Sequence, residues 1–325
     1  MKKVVLTHRL HEAGMKVLEG KVEVAITNTG KPQEMLPELF DADGLIIRIG
    51  SIDRATMLAA KNLKVIGRPG VGVDDVDVAS ATELGIPVVI APGANTLSVA
   101  EHALALIFAA AKDILNSDKK TRAGEFHVRN SYKAFELFGK TLGLVGYGNI
   151  GRELARLSSS VGLKVMVYDP FVNRESIEKQ GYQYEQDLDQ LLRNADVISL
   201  HVPLTDKTKG LIGEREFNLM RSTAILVNCA RGGVIDEQAL AQALRTNRIH
   251  SAALDVLAVE PVRADDPLVG FDNVIITPHM AGLTQEAATG VATMAAEGVL
   301  AVINGEKWPY VANKEVYDHP KWKNK

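Results

Sequence analysis

Gly143-Leu144-Val145-Gly146-Tyr147-Gly148-Asn149-Ile150-Gly151 is the stretch whose reading decides the fold. Thr141 to Val145 reads as a buried strand. It feeds directly into G-x-G-x-x-G, and Arg152 to Ser160 then carries apolar positions at helical spacing. Lys164 to Tyr168 reads as a second strand, ending in Asp169, 18 residues after Gly151 (169 − 151). A βαβ unit needs about 20 residues to return an acid to a ribose.

That spacing has a physical logic. Gly146 permits the tight turn, Gly148 lets the backbone approach a pyrophosphate, and Gly151 lets helix and strand pack closely. Amides at the helix N-terminus, including those of Asn149 and Ile150, then face the phosphates. Asp169 can bond both ribose hydroxyls and repels a 2′-phosphate, so NAD is favoured over NADP. An ordinary strand-to-helix turn with Asp169 as a helix cap would use the same residues, but the strand–loop–helix–strand context favours the nucleotide. Arg174, five positions beyond Asp169, is the residue that could relax the choice of cofactor.

The chain has 325 residues, 46% hydrophobic, enough for two cores. Its net charge is −3 with both signs scattered, which gives no surface for nucleic acid or an anionic membrane. The single Cys229 excludes an internal disulfide. Met1 to Leu6 is too short an apolar run for a signal peptide, and Ala103 to Ala111 is too short to span a membrane. A cytoplasmic protein is the expectation.

Strand and helix signals alternate throughout, the pattern of an α/β fold with parallel sheets. Strands are expected at Lys3–Thr7, Val22–Thr27, Gly44–Ile47, Val65–Gly67 and Val88–Ile90, with helices at His11–Glu19, Arg54–Ala60 and Val78–Leu84. A second series starts at Thr141 and continues at Lys164–Tyr168, Val197–Leu200, Ala224–Asn228, Ala252–Asp255 and Val274–Thr277. Between them lie the turn-rich Ala91-Pro92-Gly93-Ala94-Asn95 and an Ala-rich helix from Val99 to Ala111. Asn116–Gly139 reads as an irregular arm, Gln285 to about Asn304 as a last long helix, and Lys307–Lys325 as a surface wrap anchored by Trp308 and Trp322.

Three polar residues stand just beyond strand C-terminal ends, where a doubly wound sheet places chemistry. Arg231 follows Ile225-Leu226-Val227-Asn228, Glu260 follows the Asp255 strand, and His279 follows Ile276-Thr277-Pro278. Singly, each has a bland explanation as a surface charge, a solvated carboxylate or a turn residue. Together they supply what hydride transfer at a 2-hydroxy acid needs. Arginine's planar fork holds a carboxylate and polarises the neighbouring carbonyl. Histidine exchanges a proton near neutral pH. A carboxylate on the far ring nitrogen fixes the tautomer and steadies the protonated ring.

Six segments then appear in order: Gly67-Arg68-Pro69-Gly70-Val71-Gly72-Val73-Asp74; Pro92 to Thr96 with Ser98 to His102; Gly146 to Gly151; Asn228 to Gly233; Asp255 through Glu260-Pro261; and Thr277-Pro278-His279. From about Lys3 to Gly305 the chain closely resembles the D-isomer-specific 2-hydroxyacid dehydrogenases, in particular the phosphoglycerate dehydrogenase and hydroxypyruvate reductase branch. The resemblance implies two doubly wound parallel-sheet domains. A Rossmann NAD-binding domain would span residues 96–284 with a dimerisation arm, and a smaller flavodoxin-like substrate domain would comprise 1–95 plus 285–325. It implies Arg231 on the substrate carboxylate, Glu260 and His279 as the acid/base relay, and backbone amides near Val71 and Gly72 completing the carboxylate pocket. Asp255 would hold the nicotinamide amide, Val202 and Pro203 would line the adenine side, and Cys229, Ala230, Arg231, His279 and Gly282 would border the cofactor. A homodimer and a D-configured product are further implications.

Arg48 and Arg68, at strand ends of the first series, either face a distal anionic group of the substrate or make structural salt bridges. Arg129 and Lys133 in the arm are expected in solvent, and His102 and His201 carry no proton-transfer role. The chain stops near residue 325 without the C-terminal regulatory domain of longer phosphoglycerate dehydrogenases, so serine feedback is not expected. Some relatives of this fold are NAD-sensing corepressors and others oxidise formate or phosphite. Hence a second reading is an NAD(H)-sensing interaction protein without significant turnover.

Overall fold

The computed structural model describes residues 1–323, so the wrap expected from Lys307 has its last two residues outside the described part. The chain forms two compact units, one built from residues 1–95 with the segment from Leu283 onward, the other from Thr96–Gly282.

In the first unit, β1 (Lys3–Leu6), β2 (Glu23–Ile26), β3 (Gly44–Ile46), β4 (Val65–Gly67) and β5 (Val88–Val89) form a parallel sheet ordered β2-β1-β3-β4-β5. That is the flavodoxin-like order. Val4, Val5, Leu6, Leu45 and Ile46 are fully buried, because helices cover both sheet faces and leave no polar side to alternate with. The helix Gln285–Ile303 is apolar and long enough, at 19 residues, to cross a membrane by length and composition. Here it is a core helix, with Ala292, Ala295, Ala296, Val299, Val302 and Ile303 buried in the same unit as the sheet. Trp322 is buried and donates its indole hydrogen to the Gly85 carbonyl at 3.0 Å, while Val311 bridges Val89 antiparallel, so the tail adds to this sheet's edge. The helix Pro32–Leu39 was not legible in the sequence. Pro32 opens it where no amide partner is needed, but Pro37 within eight residues masks the periodicity.

The second unit holds β6 (Thr141–Val145), β7 (Lys164–Tyr168), β8 (Gln183–Tyr184), β9 (Val197–Leu200), β10 (Ile225–Asn228), β11 (Ser251–Leu254) and β12 (Val274–Ile276). They run parallel in the order β12-β11-β10-β9-β6-β7-β8. Counted from β6, this is the dinucleotide-binding order with one further strand at the edge, and the order reverses between β6 and β9. The crevice at that reversal, outside the strand C-termini, is where the fold places a ligand.

One expectation is corrected. Asn116–Gly139 is not wholly irregular: Ile114–Arg122 is an α-helix and Phe126–Ser131 a 3-10 helix. Its support is electrostatic, which apolar periodicity does not report. Lys119, Lys120 and Arg122 crowd the C-terminal turn, where the helix dipole favours cations, and Arg122 pairs with Asp118 one turn back at 2.8 Å.

Candidate active site

The glycine loop sits at the β6 C-terminus. Gly146 has φ +99°, and a Cβ there would lie 2.5 Å from the His201 carbonyl oxygen, so both conformation and space require glycine. Tyr147, between the glycines, is fully buried, with its hydroxyl on Gln180 at 3.1 Å and the Arg152 guanidinium 5.1 Å from its ring centroid. The helix Asn149–Ser160 starts at Gly148 with no side-chain cap, and a Cβ on Gly148 would point into open space. An uncapped helix N-terminus beside an unobstructed glycine fits a pyrophosphate, which Asn149 and Ile150 would border. Asp169 completes the loop: one carboxylate oxygen accepts from the Tyr147 amide at 2.7 Å and the other from the Phe171 amide at 2.8 Å. Each oxygen retains lone-pair capacity for a ribose hydroxyl. Arg174 is on the next helix, paired to Glu178 at 2.8 Å.

Past β9 come His201, Val202 and the exposed Pro203. The His201 ring bonds Ser199 through Nε2 at 2.9 Å, and burial pushes its pKa down to about 4, so it is neutral at physiological pH.

Arg231 follows β10 on a loop that buried Asn228 holds from both sides. The Asn228 amide oxygen accepts from Ala230 N at 2.9 Å and its amide nitrogen donates to Arg231 O at 2.8 Å. Burial and the Asp255 charge raise the pKa of neighbouring Cys229, so its thiol stays protonated. The same loop is pressed onto the one that carries Glu260: a Cβ on Gly232 would lie 2.0 Å from the Leu257 carbonyl carbon. Glu260 accepts from Leu257 N at 3.0 Å through one oxygen, and its other oxygen lies 2.7 Å from His279 Nδ1. His279 adopts a left-handed φ of +51°, held by its amide bonds to Asp255 O at 2.8 Å and Thr277 O at 2.9 Å. Arg231, Glu260 and His279 thus lie on consecutive strand ends of one sheet, two of them directly bonded.

Asp255, 2% exposed, is more heavily engaged than expected. Its carboxylate accepts from Thr277 Oγ1 at 2.6 Å, Met280 N at 2.9 Å and Ala281 N at 2.9 Å, which anchors the turn from His279 to Gly282. His102, on the helix Thr96–Ala111, places Nε2 3.1 Å from Thr277 Oγ1 and 3.6 Å from Asp255 Oδ1. The sequence reading missed this link, because 175 residues separate the partners and nothing in the local pattern pairs them.

The remaining candidates lie in the first unit. Val71 is 47% exposed and Gly72 partly buried, in the loop after β4. Arg68 is tied to Asp75 through Nε at 3.0 Å, and burial lifts the Asp75 carboxyl above the usual range despite that cation. The Arg48 guanidinium reaches the Arg9 carbonyl at 3.5 Å.

Comparison with known proteins places this geometry. Residues 104–281 match the profile of the D-isomer specific 2-hydroxyacid dehydrogenase NAD-binding domain. The chain is 45% identical over 316 residues to a D-3-phosphoglycerate dehydrogenase of Methanocaldococcus jannaschii, covering 96% of this chain but only 60% of that relative. It is 36% identical over 322 residues to a glyoxylate reductase of Korarchaeum cryptofilum, covering 97% of this chain and 96% of the relative. The crystal structure of the TT0316 protein from Thermus thermophilus superposes with a TM-score of 0.87 at 34% identity, covering 95% of this chain and 99% of that one. The chain therefore belongs to the D-isomer specific 2-hydroxyacid dehydrogenase family, and its seven-stranded unit is that family's NAD-binding domain.

Proposed function

We propose that this protein is an NAD-dependent oxidoreductase that interconverts a D-2-hydroxy acid and its 2-oxo acid. The observation that carries the reading is the 2.7 Å bond between His279 Nδ1 and Glu260, on the sheet that also bears the uncapped glycine loop. A carboxylate only accepts, so Nδ1 carries the hydrogen and Nε2 is left to exchange a proton with the substrate oxygen. Arg231 holds the substrate carboxylate with its fork and draws charge toward the reacting carbonyl oxygen. In reduction, His279 Nε2 delivers a proton to that oxygen, and Glu260 offsets the positive charge the ring carries beforehand. A nicotinamide cofactor held there would supply the hydride to the substrate's C2 as NADH, or accept it from C2 as NAD. Asp255 has lone-pair capacity left on Oδ2 for the nicotinamide amide. The first unit would serve as the substrate domain.

The substrate is a small polar or anionic acid of the 3-phosphoglycerate, hydroxypyruvate/glyoxylate or sulfolactate type. The relatives' names support two members of this range: D-3-phosphoglycerate dehydrogenase for one, glyoxylate reductase for another. Because Arg68 is already paired with Asp75, Arg48 is the better candidate for a distal anion. A homodimer through the arm and the start of the helix Ile114–Arg122 is supported by exposed apolar side chains there: Ile114 49%, Leu115 54%, Phe126 65% and Tyr132 87%.

The test is NADH oxidation at fixed enzyme against hydroxypyruvate, glyoxylate, pyruvate, 3-phosphohydroxypyruvate and sulfopyruvate. Turnover of any one supports the reading, and preference for the last two assigns a distal-anion contact. Tight NADH binding with no turnover across the panel would instead establish the sensor reading.

A further inference from the structure

We infer that His102 is a positioning residue for the proton-transfer turn, acting on His279 through the Thr277 hydroxyl and the Asp255 carboxylate. The inference rests on the reading of His279 as the acid/base group. The direction of each hydrogen bond follows from elementary capacity. A hydroxyl has one proton, and Thr277 Oγ1 lies 2.6 Å from an Asp255 oxygen that, ionised, can only accept. The Thr277 proton therefore goes to Asp255. Toward His102, at 3.1 Å, the hydroxyl can only accept, so His102 Nε2 carries a hydrogen.

The result is a one-way chain from His102 to Thr277 to Asp255. Asp255 receives Met280 N and Ala281 N, each at 2.9 Å, and its own carbonyl receives His279 N at 2.8 Å. His279 is held in a left-handed conformation that a histidine adopts only when its surroundings impose it. The His102 side chain is 20% exposed and the Asp255 side chain 1%, so the chain is sheltered from competing water. His102 rides on the helix Thr96–Ala111, which ties the turn to a rigid element rather than to another loop.

The test compares His102→Leu with His102→Gln, whose amide can still donate to Thr277, and Thr277→Val with Thr277→Ser. For His102→Leu and Thr277→Val, kcat should fall about tenfold or more, by a larger factor than any rise in the NADH dissociation constant, and the conservative variants should recover most of it. A second readout needs no turnover. Hydrogen exchange at Met280 and Ala281 amides should speed up about tenfold in His102→Leu and Thr277→Val and return toward the parent value in the conservative pair. Unchanged exchange in both disruptive variants overturns the positioning role, as does a Gln variant no better than Leu. Should His102→Leu fail to fold, the Thr277 pair decides. If the parent turns over no 2-oxo acid, the oxidoreductase reading fails, while exchange at the two amides still settles what His102 does.

Discussion

Glu260 Oε2 lies 2.7 Å from His279 Nδ1, a bond that engages one ring nitrogen and leaves Nε2 outside the pair. Removing either partner has distinct consequences. His279→Ala deletes the proton donor, and kcat should drop about 10²- to 10⁴-fold with NADH affinity intact. Glu260→Gln can still accept from the ring nitrogen through its amide oxygen but removes the charge, so its loss should be smaller. Single-turnover kinetics with both variants measure this; a His279→Ala enzyme within a few-fold of the parent rules out the relay.

Asp169 predicts the cofactor choice. Asp169→Asn keeps one of the two acceptors, so only one of the Tyr147 and Phe171 amides retains its partner, and it removes the charge that repels a 2′-phosphate. NADH should bind about tenfold more weakly, the loss of one charge-assisted bond, and NADPH should gain relative to it. Fluorescence titration of both dinucleotides reports the ratio. An unmoved ratio means that Asp169 does not read the ribose.

Gly232 welds the Arg231 loop to the Glu260 loop. Gly232→Ala would place a methyl carbon 2.0 Å from the Leu257 carbonyl carbon, and backbone cannot yield cheaply. We expect destabilisation of roughly 3 kcal/mol and, in any folded fraction, a large loss of turnover as the two loops separate. Gly270→Ala, where a Cβ meets nothing within 4 Å, is the matched control and should be silent in both thermal melts and kinetics.

His201 sets an acid limit on stability. An unfolded histidine takes up a proton below about 6.5, whereas folded His201 refuses it until about 4. Across that window the unfolded chain binds more protons, so stability falls as pH falls and levels off, for this group, below about 4. The ceiling is roughly 3 kcal/mol, less in practice because the residue is partly exposed. His201→Gln should flatten the urea midpoint between pH 6.5 and 4; an identical slope in parent and variant assigns the acid sensitivity elsewhere.

The glycine loop, Asp169 and the order of strands were legible because each is a local pattern: apolar runs of strand length, fixed glycine spacing, and an acid one βα unit later. Arg231, Glu260 and His279 were legible as residues at strand ends. Less visible were elements stabilised by charge or interrupted by proline, as in Ile114–Arg122 and Pro32–Leu39, where the apolar period is weak. The engagement of Arg68 with Asp75 could be posed only as one of two possibilities, since sequence does not state which way a guanidinium turns.

By itself the sequence determined the fold class, the glycine loop and the strand ends that carry Arg231, Glu260 and His279, since these depend on short-range periodicity and on which strand each residue follows. Only the tertiary structure decided how they are held. Asn228 grips the Arg231 loop, Gly232 lies against Leu257, and His102 reaches Thr277 across 175 positions. The physical reason is that hydrogen-bond direction and backbone approach depend on distances between segments brought together by packing, and no spacing along the chain encodes them.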